Sequence, residues 1–267
     1  MSRVLAVPAR RLLAGVTAGP RTSVRTSAMA AMTKGPNVLS AEYLLQSDQK
    51  LGEVRPRAPE FLRKADSATI ERTVQALQRH QRTVEVVQTR EEALHAIKAQ
   101  IPNGVSVYNT SSIGLTEIGY VDWVIRDKDS LPFDNWNARI VAEKDPAKQL
   151  ELRRQSLLAD VVISTPVALV ETGELLIADA SGTRVTPTLT GRKVVFVVGT
   201  HKIVPTLDAA FRRLHEFAYE LESARVRAAS NNPDGTSTIA NTVVHHTQGV
   251  LGVPKVHVIL VNDVIGF

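Results

Sequence analysis

Apolar, β-branched runs of strand length recur along this chain and alternate with stretches of helical spacing. This alternation constrains the fold more than any other feature. Candidate strands are Thr83–Gln88, Gly104–Tyr108, Asp160–Ser164, Glu174–Ala178, Lys193–Val198 and Lys255–Val261. Between them, Ile70, Val74 and Leu77 recur at three to four residues and predict a helix over 66–80. Thr89 with Glu92 forms a capping-box pattern ahead of Ala93, Leu94 and Ile97, and Pro102-Asn103-Gly104 ends that helix. Asn109-Thr-Ser-Ser112 reads as a polar turn opening a short helix through Glu117, and 126–137 as a loop. Pro146–Leu158 begins with proline at the first turn, where its missing N–H is harmless. Leu207–Ala228 is the longest predicted helix, with Ala210, Phe211, Leu214, Phe217, Ala218 and Leu221 as its inner stripe. Such an order predicts an α/β fold with a mostly parallel sheet covered by helices on both faces. Residues 229–254 are rich in Asn, Thr and Gly and show little periodicity.

Length and charge set the boundaries. At 267 residues the chain is ample for one large core. Its net charge of +5 is unevenly spread: residues 1–36 hold Arg3, Arg10, Arg11, Arg21, Arg25 and Lys34 and no acid. That segment carries +6, so the remainder is near neutral at −1. A near-neutral body without a basic patch interleaved with aromatics argues against a nucleic-acid partner. The basic segment is rich in Arg, Ser, Thr and Ala, and on a helical wheel Leu5, Ala9, Leu12, Leu13 and Val16 oppose its first arginines. Residues 1–35 therefore read as a mitochondrial transit peptide, the alternative being a disordered basic tail. Met29 and Met32 offer starts for a cytosolic form. Residues 36–64, with a short helix near Leu39–Gln46 and then Pro56 and Pro59, read as helix and linker, and 65–267 as the α/β domain. No apolar run approaches the ~20 residues of a membrane span.

The chain has no cysteine, which excludes disulfides, thiolate metal sites and iron–sulfur ligation through cysteine by this chain. His245 and His246 are adjacent and would point to opposite sides of a strand; with His257 they form no metal-binding spacing. No G-x-G-x-x-G or Walker pattern occurs, so no cofactor is assigned.

Several segments, taken in order, resemble one family. They are Glu71–Leu77, Thr89–Leu94, Leu115–Gly119, Ala159–Thr165, Val170–Leu175, Ser181–Val185, Lys193–Val204, Val258–Asn262 and Gly266. Together they are similar to the lactate-utilisation (LUD) domain over residues 66–228 and 255–267. The resemblance implies a fold of the glucosamine-6-phosphate deaminase, ribose-5-phosphate isomerase and CoA-transferase type (NagB/RpiA/CoA-transferase-like). It also implies a link to oxidation of lactate or related hydroxy acids, with a possible redox partner subunit carrying iron–sulfur clusters. Two departures stand out. Asn109–Ser112 replaces the glycines common in bacterial relatives, and the stretch Ala228–Pro254 lacks the cysteines many of them carry.

Ligands of open parallel sheets bind beyond the carboxyl ends of the strands, and three predicted loops lie there. Thr110, Ser111 and Ser112 offer hydroxyls and backbone N–H groups for an anion, the alternative being an ordinary helix cap. Glu171, on the turn Glu171-Thr-Gly-Glu174, is the candidate catalytic carboxylate, the alternative being a surface hairpin acid, and Gly173 of the same turn is counted with the anion-binding candidates. Gly182 with Arg184, and Lys202 after His201, supply the cationic candidates, the alternative being surface ion pairs. The expected ligand is a small anionic metabolite. A non-catalytic module binding a metabolite or partner is the second reading.

Overall fold

The computed structural model of the protein describes residues 39–249 and 254–267. The leader read in residues 1–35, with Met29 and Met32, lies outside the described residues.

The domain is built around a six-stranded sheet. Its strands are β1 (Thr83–Val87), β2 (Ser106–Asn109), β3 (Asp134–Asn135), β4 (Val161–Ser164), β7 (Lys193–Gly199) and β10 (Lys255–Val261). They lie in the order β1-β10-β7-β4-β2-β3, and every neighbouring pair is parallel. The expected α/β class, with helices on both faces, is what the chain adopts. β10 is inserted between β1 and β7, pairing Val258 with Val84 on one side and with Phe196 on the other.

Both faces of this sheet are apolar because each strand is buried on both sides, which is why the strands read as near-continuous runs of Val and Ile. On one face Val161, Ile163, Val195, Val197, Ile259 and Val261 pack against α4 (Arg90–Ala99), α5 (Ile113–Glu117) and α6 (Tyr120–Arg126). The start of α4 is closed by the anticipated capping box of Thr89 and Glu92. On the other face Val162, Val194, Phe196, Val198, Val258 and Leu260 meet Leu77 of α3 (Ser67–Arg79) and Ile140 of α7 (Trp136–Ala142). Val185 of α9 (Val185–Thr190) joins them; α8 (Pro146–Ser156), capped by Asp145, lies outside with most of its surface exposed.

That second face also carries a feature the periodicity did not reveal. β5 (Ala168–Val170), β6 (Leu175–Asp179), β8 (Ile203–Val204) and β9 (Asn241–His245) form a separate four-stranded sheet of mixed direction in the order β8-β5-β6-β9. Leu169, Leu175 and Ile177 face the large sheet, whereas Ala168, Val170, Leu176 and Ala178 face outward onto a long helix. The strand expected at 174–178 thus belongs to this smaller sheet, and β9 falls within the stretch that shows little sequence periodicity.

The long helix runs as α10 (Leu207–Arg213), a π-helical segment (Leu214–Ala218) and α11 (Tyr219–Ser230). The wider turn shifts the phase of the helix. Its expected inner stripe is accordingly divided: Ala210, Leu214 and Ala218 pack on the small sheet, while Phe217, Leu221 and Ala224 face a third layer. That layer is α1 (Ala41–Ser47), two 3-10 turns and α2 (Ala58–Leu62), with Phe61 stacked on Phe217 at 5.1 Å between ring centroids. Residues 49–64, expected as a linker, are therefore part of the packed structure: Leu51, Val54, Ala58 and Phe61 are buried. Sequence periodicity misses this because each turn there is too short to repeat an apolar spacing. None of the helices among the described residues is long and apolar enough to cross a membrane.

Candidate functional site

The chain leaves β2 toward α5 and α6 on one face of the large sheet, and leaves β4 toward the small sheet on the other face. β2 and β4 are neighbours, so their carboxyl ends open a crevice where the connections diverge, the place where such sheets receive ligands. A cleft of about 210 Å³ lies there. Ser111, Ser112, Thr165, Val167, Asp179, Arg184, Tyr219, Glu222, Arg225 and Phe267 are among the residues around it.

The loop after β2 is tied down across the crevice. Thr110 donates its backbone N–H to Ile163 at 2.9 Å and shares a hydroxyl contact with Ser164 at 3.1 Å. Thr110 is buried and supports the floor without lining the cleft. Ser112 stands at the N-cap of α5 yet makes no side-chain capping bond; its hydroxyl contacts that of Thr165 at 2.8 Å. The ordinary capping alternative therefore does not describe Ser112.

Arg184 reaches the cleft through the turn after β6. Asp179, the last residue of that strand, accepts the backbone N–H groups of Gly182, Arg184 and Val185, each at 2.8 Å, and the side-chain amide of Asn241 at 2.9 Å. Burial pushes the Asp179 carboxyl toward the neutral form, but these donors together outweigh it and hold the pKa below the ordinary aspartate value. Gly182, at φ 77°, supplies the left-handed residue the turn needs. Its role is to shape the loop that presents Arg184. The guanidinium of Arg184 donates to the backbone oxygen of Ser111, joining the β2 and β6 loops.

Glu171 and Gly173 lie elsewhere. Glu171 is at the β5–β6 hairpin and pairs with Arg72 of α3 at 3.1 Å; neither it nor Gly173 lines the cleft. Gly173 has φ 108°, and a Cβ there would sit 2.6 Å from the His80 ring, so steric need accounts for this glycine. The structure thus brings Ser111, Ser112 and Arg184 together at the cleft, with Thr110 beneath and Gly182 in the supporting turn. Glu171 keeps the position of the hairpin acid named as its alternative.

Lys202 is fully buried, directly behind the cleft. Its ammonium donates to the backbone oxygens of Pro166 at 3.3 Å and Phe267 at 3.2 Å. Desolvation first, and the charges of Arg213 and Arg184 next, push its pKa well down, with Glu117 opposing. Burial likewise pushes the pKa of the neighbouring His201 well down.

The sequence profile of the LUD domain matches residues 70–261. The chain belongs to the LUD domain family. The match runs from α3 to the end of β10 and takes in both sheets of this LUD domain, whereas α1 and α2 lie outside it. Among curated proteins, none matches the chain. The solved structures it is similar to include a DUF162 family protein from Deinococcus radiodurans, 15% identical, with 73% of this chain and 98% of that one covered and a TM-score of 0.43.

Two buried arginines on the long helix, one lining the cleft and one beside it, escaped sequence reasoning. Arg225 is buried and makes a two-pronged contact with Glu222, at 2.8 and 2.6 Å. Burial lowers the Arg225 pKa, but the hydrogen bonds and charge of Glu222 outweigh it and leave the pKa above its ordinary value. The Glu222–Arg225 spacing of three residues was the available signal, and it is shared by countless surface helices. Arg213, at the end of α10, is the other buried cation nearby, held to the backbone oxygen of Val167 at 2.7 Å.

A larger cavity, of about 630 Å³, lies between α1–α2 and the segment Asp263–Gly266. Its arginines are already engaged: Arg90 pairs with Asp263 at 2.7 Å, and Arg55 donates to backbone oxygens of Leu45 and Asp48. None of the sequence-predicted site residues lines it, and the smaller cleft is the stronger candidate. Among the described residues, no group of three or more His, Asp or Glu is placed to hold a metal ion.

Proposed function

We propose that the cleft at the ends of β2 and β4 binds a small anionic hydroxy acid, and that the protein serves lactate utilisation or metabolism of a related acid. Membership of the LUD family supports the metabolic setting. The observation that carries the reading is the placement of Arg184: a guanidinium held by the Asp179 turn against a loop of hydroxyl residues. A guanidinium offers a carboxylate two parallel donors, and Ser111, Ser112 and Thr165 are placed for a ligand hydroxyl. The cleft, at about 210 Å³, is smaller than the ~300–1,000 Å³ of sites for drug-sized molecules, which suits a metabolite of few atoms.

In this reading the chain binds and orients the acid. Oxidation requires an electron acceptor, which we assign to a redox partner subunit. The basic leader of residues 1–35 supports a mitochondrial setting, checked by the N-terminal sequence of the protein recovered from isolated mitochondria.

Calorimetric titration with lactate tests the site. Arg184→Ala is expected to weaken binding by about ten- to hundred-fold, the loss of a charge-assisted hydrogen bond of ~1.5–3 kcal/mol, with the fold intact by circular dichroism. Equal affinity in the variant and the parent would remove Arg184 from the site. A lactate-dependent electron transfer with the partner present would show turnover beyond binding.

A further inference from the structure

The inner end of the cleft is backed by a buried arginine, Arg213, that no carboxylate among the described residues neutralises. After β4 the chain runs Thr165-Pro166-Val167, and Thr165 and Val167 face the cleft. Two consecutive carbonyl oxygens of this segment are gripped from behind, that of Pro166 by Lys202 and that of Val167 by Arg213. Arg213 is 0% exposed, and among the described residues no carboxylate pairs with it. Among the described residues its Nε and one Nη have no hydrogen-bond partner. The ring of Phe217 lies 5.3 Å from it, a contact that compensates only part of the lost hydration. A buried arginine left in this state weakens the fold, so its presence calls for a compensating negative charge. The cleft is where one can arrive, because Val167 and Leu214, the residues Arg213 bonds and adjoins, both line it.

Arg184 stands at the other wall of the cleft, and Arg225 there is already neutralised by Glu222. The cationic field therefore has two centres, one at Arg184 and one behind Val167. We propose that the cleft selects a metabolite with two anionic groups, one held by Arg184 and the second drawn to the inner end by the charge of Arg213. This rests on the anion site proposed above and gives its ligand a charge class. Arg213 acts across the wall as a specificity-determining residue, without touching the ligand.

The test compares three probes at one ionic strength by calorimetry. They are lactate, tartronate (lactate with its methyl replaced by a second carboxylate) and 2-phosphoglycolate, whose second anionic group is a phosphate. Tartronate or phosphoglycolate is expected to bind more tightly than lactate, and whichever is favoured identifies the second group. Arg213→Met is expected to keep or raise the melting temperature while lowering the dianion-to-lactate affinity ratio by on the order of ten-fold. Arg213→Lys, which keeps the charge, is expected to retain the ratio and guards against a folding defect in the methionine variant. Lactate binding with no advantage for either dianion, or a ratio untouched by Arg213→Met, overturns this inference and leaves the anion site standing. Silence from all three probes overturns both.

Discussion

Single buried groups in this domain set its response to pH. His245, at the end of β9, has its pKa lowered to about 4 by burial first and by the nearby Arg82 charge second. The Thr188 hydroxyl donates to the backbone oxygen of Val185 at 2.7 Å, so at the 3.2 Å contact with His245 it accepts from an Nε2–H. The neutral ring is thus the form the fold holds. In the unfolded chain the same histidine binds a proton below about pH 6.5. Between about 6.5 and 4 the unfolded state holds a proton that the folded state lacks, so stability falls as pH falls through that window and is fully present above it. The contribution is at most about 3 kcal/mol. His245→Gln, which keeps a donor toward Thr188, is expected to flatten this part of a urea-denaturation profile measured from pH 8 to 4. An unchanged slope would assign the acid sensitivity to other groups.

At the level of elements, the π-helical segment at Leu214–Ala218 directs the long helix. Residues before it serve the small sheet; after it, Tyr219, Glu222 and Arg225 line the cleft. Inserting one alanine after Ala218, where the regular helix resumes, would rotate everything downstream by roughly 100°. The expected outcome is a folded but less stable protein in which the Glu222–Arg225 pair no longer lines the cleft and anion affinity is lost. Thermal melting and titration with lactate check the two parts. Retained binding would mean that α11 does not shape the site. This segment also shows where sequence reading ends. The helix at 207–228 was legible from its apolar spacing, but the phase shift was not, because Phe217 and Ala218 both read as one inner stripe. Strands with long apolar runs, such as β7 and β10, were equally legible. Strands of two or three residues, such as β3, β5 and β8, carry too few positions for any period. The loop of Ser111 and Ser112 and the turn carrying Arg184 were found because strand ends are predictable. The hairpin of Glu171 was also at a strand end, but it joins the antiparallel β5 and β6 and so lies at the opposite end of β6 from Asp179 and the cleft, and no local signal tells that these two strands run antiparallel.

On the scale of the molecule, chain order and sheet order disagree. β10, the latest strand in sequence, sits second in the large sheet, paired with β7 over its whole length and with β1 over His257–Val261. Val258, Ile259, Leu260 and Val261 are each 0% exposed there, and burial of such side chains contributes ~1.5–3 kcal/mol apiece. A version of the protein ending at residue 254 is expected to lack cooperative unfolding and near-ultraviolet circular dichroism, since β1 would have no neighbour and both cores would open. A cooperative melt in that version would show that the rest of the sheet is self-sufficient. The same arrangement governs the birth of the protein. As the chain emerges from a ribosome, β1 appears early and waits through more than 160 residues of synthesis for the strand that joins it to β7. Until then its exposed edge is open to other chains, a state in which chaperone binding or fast elongation decides between the native sheet and aggregation.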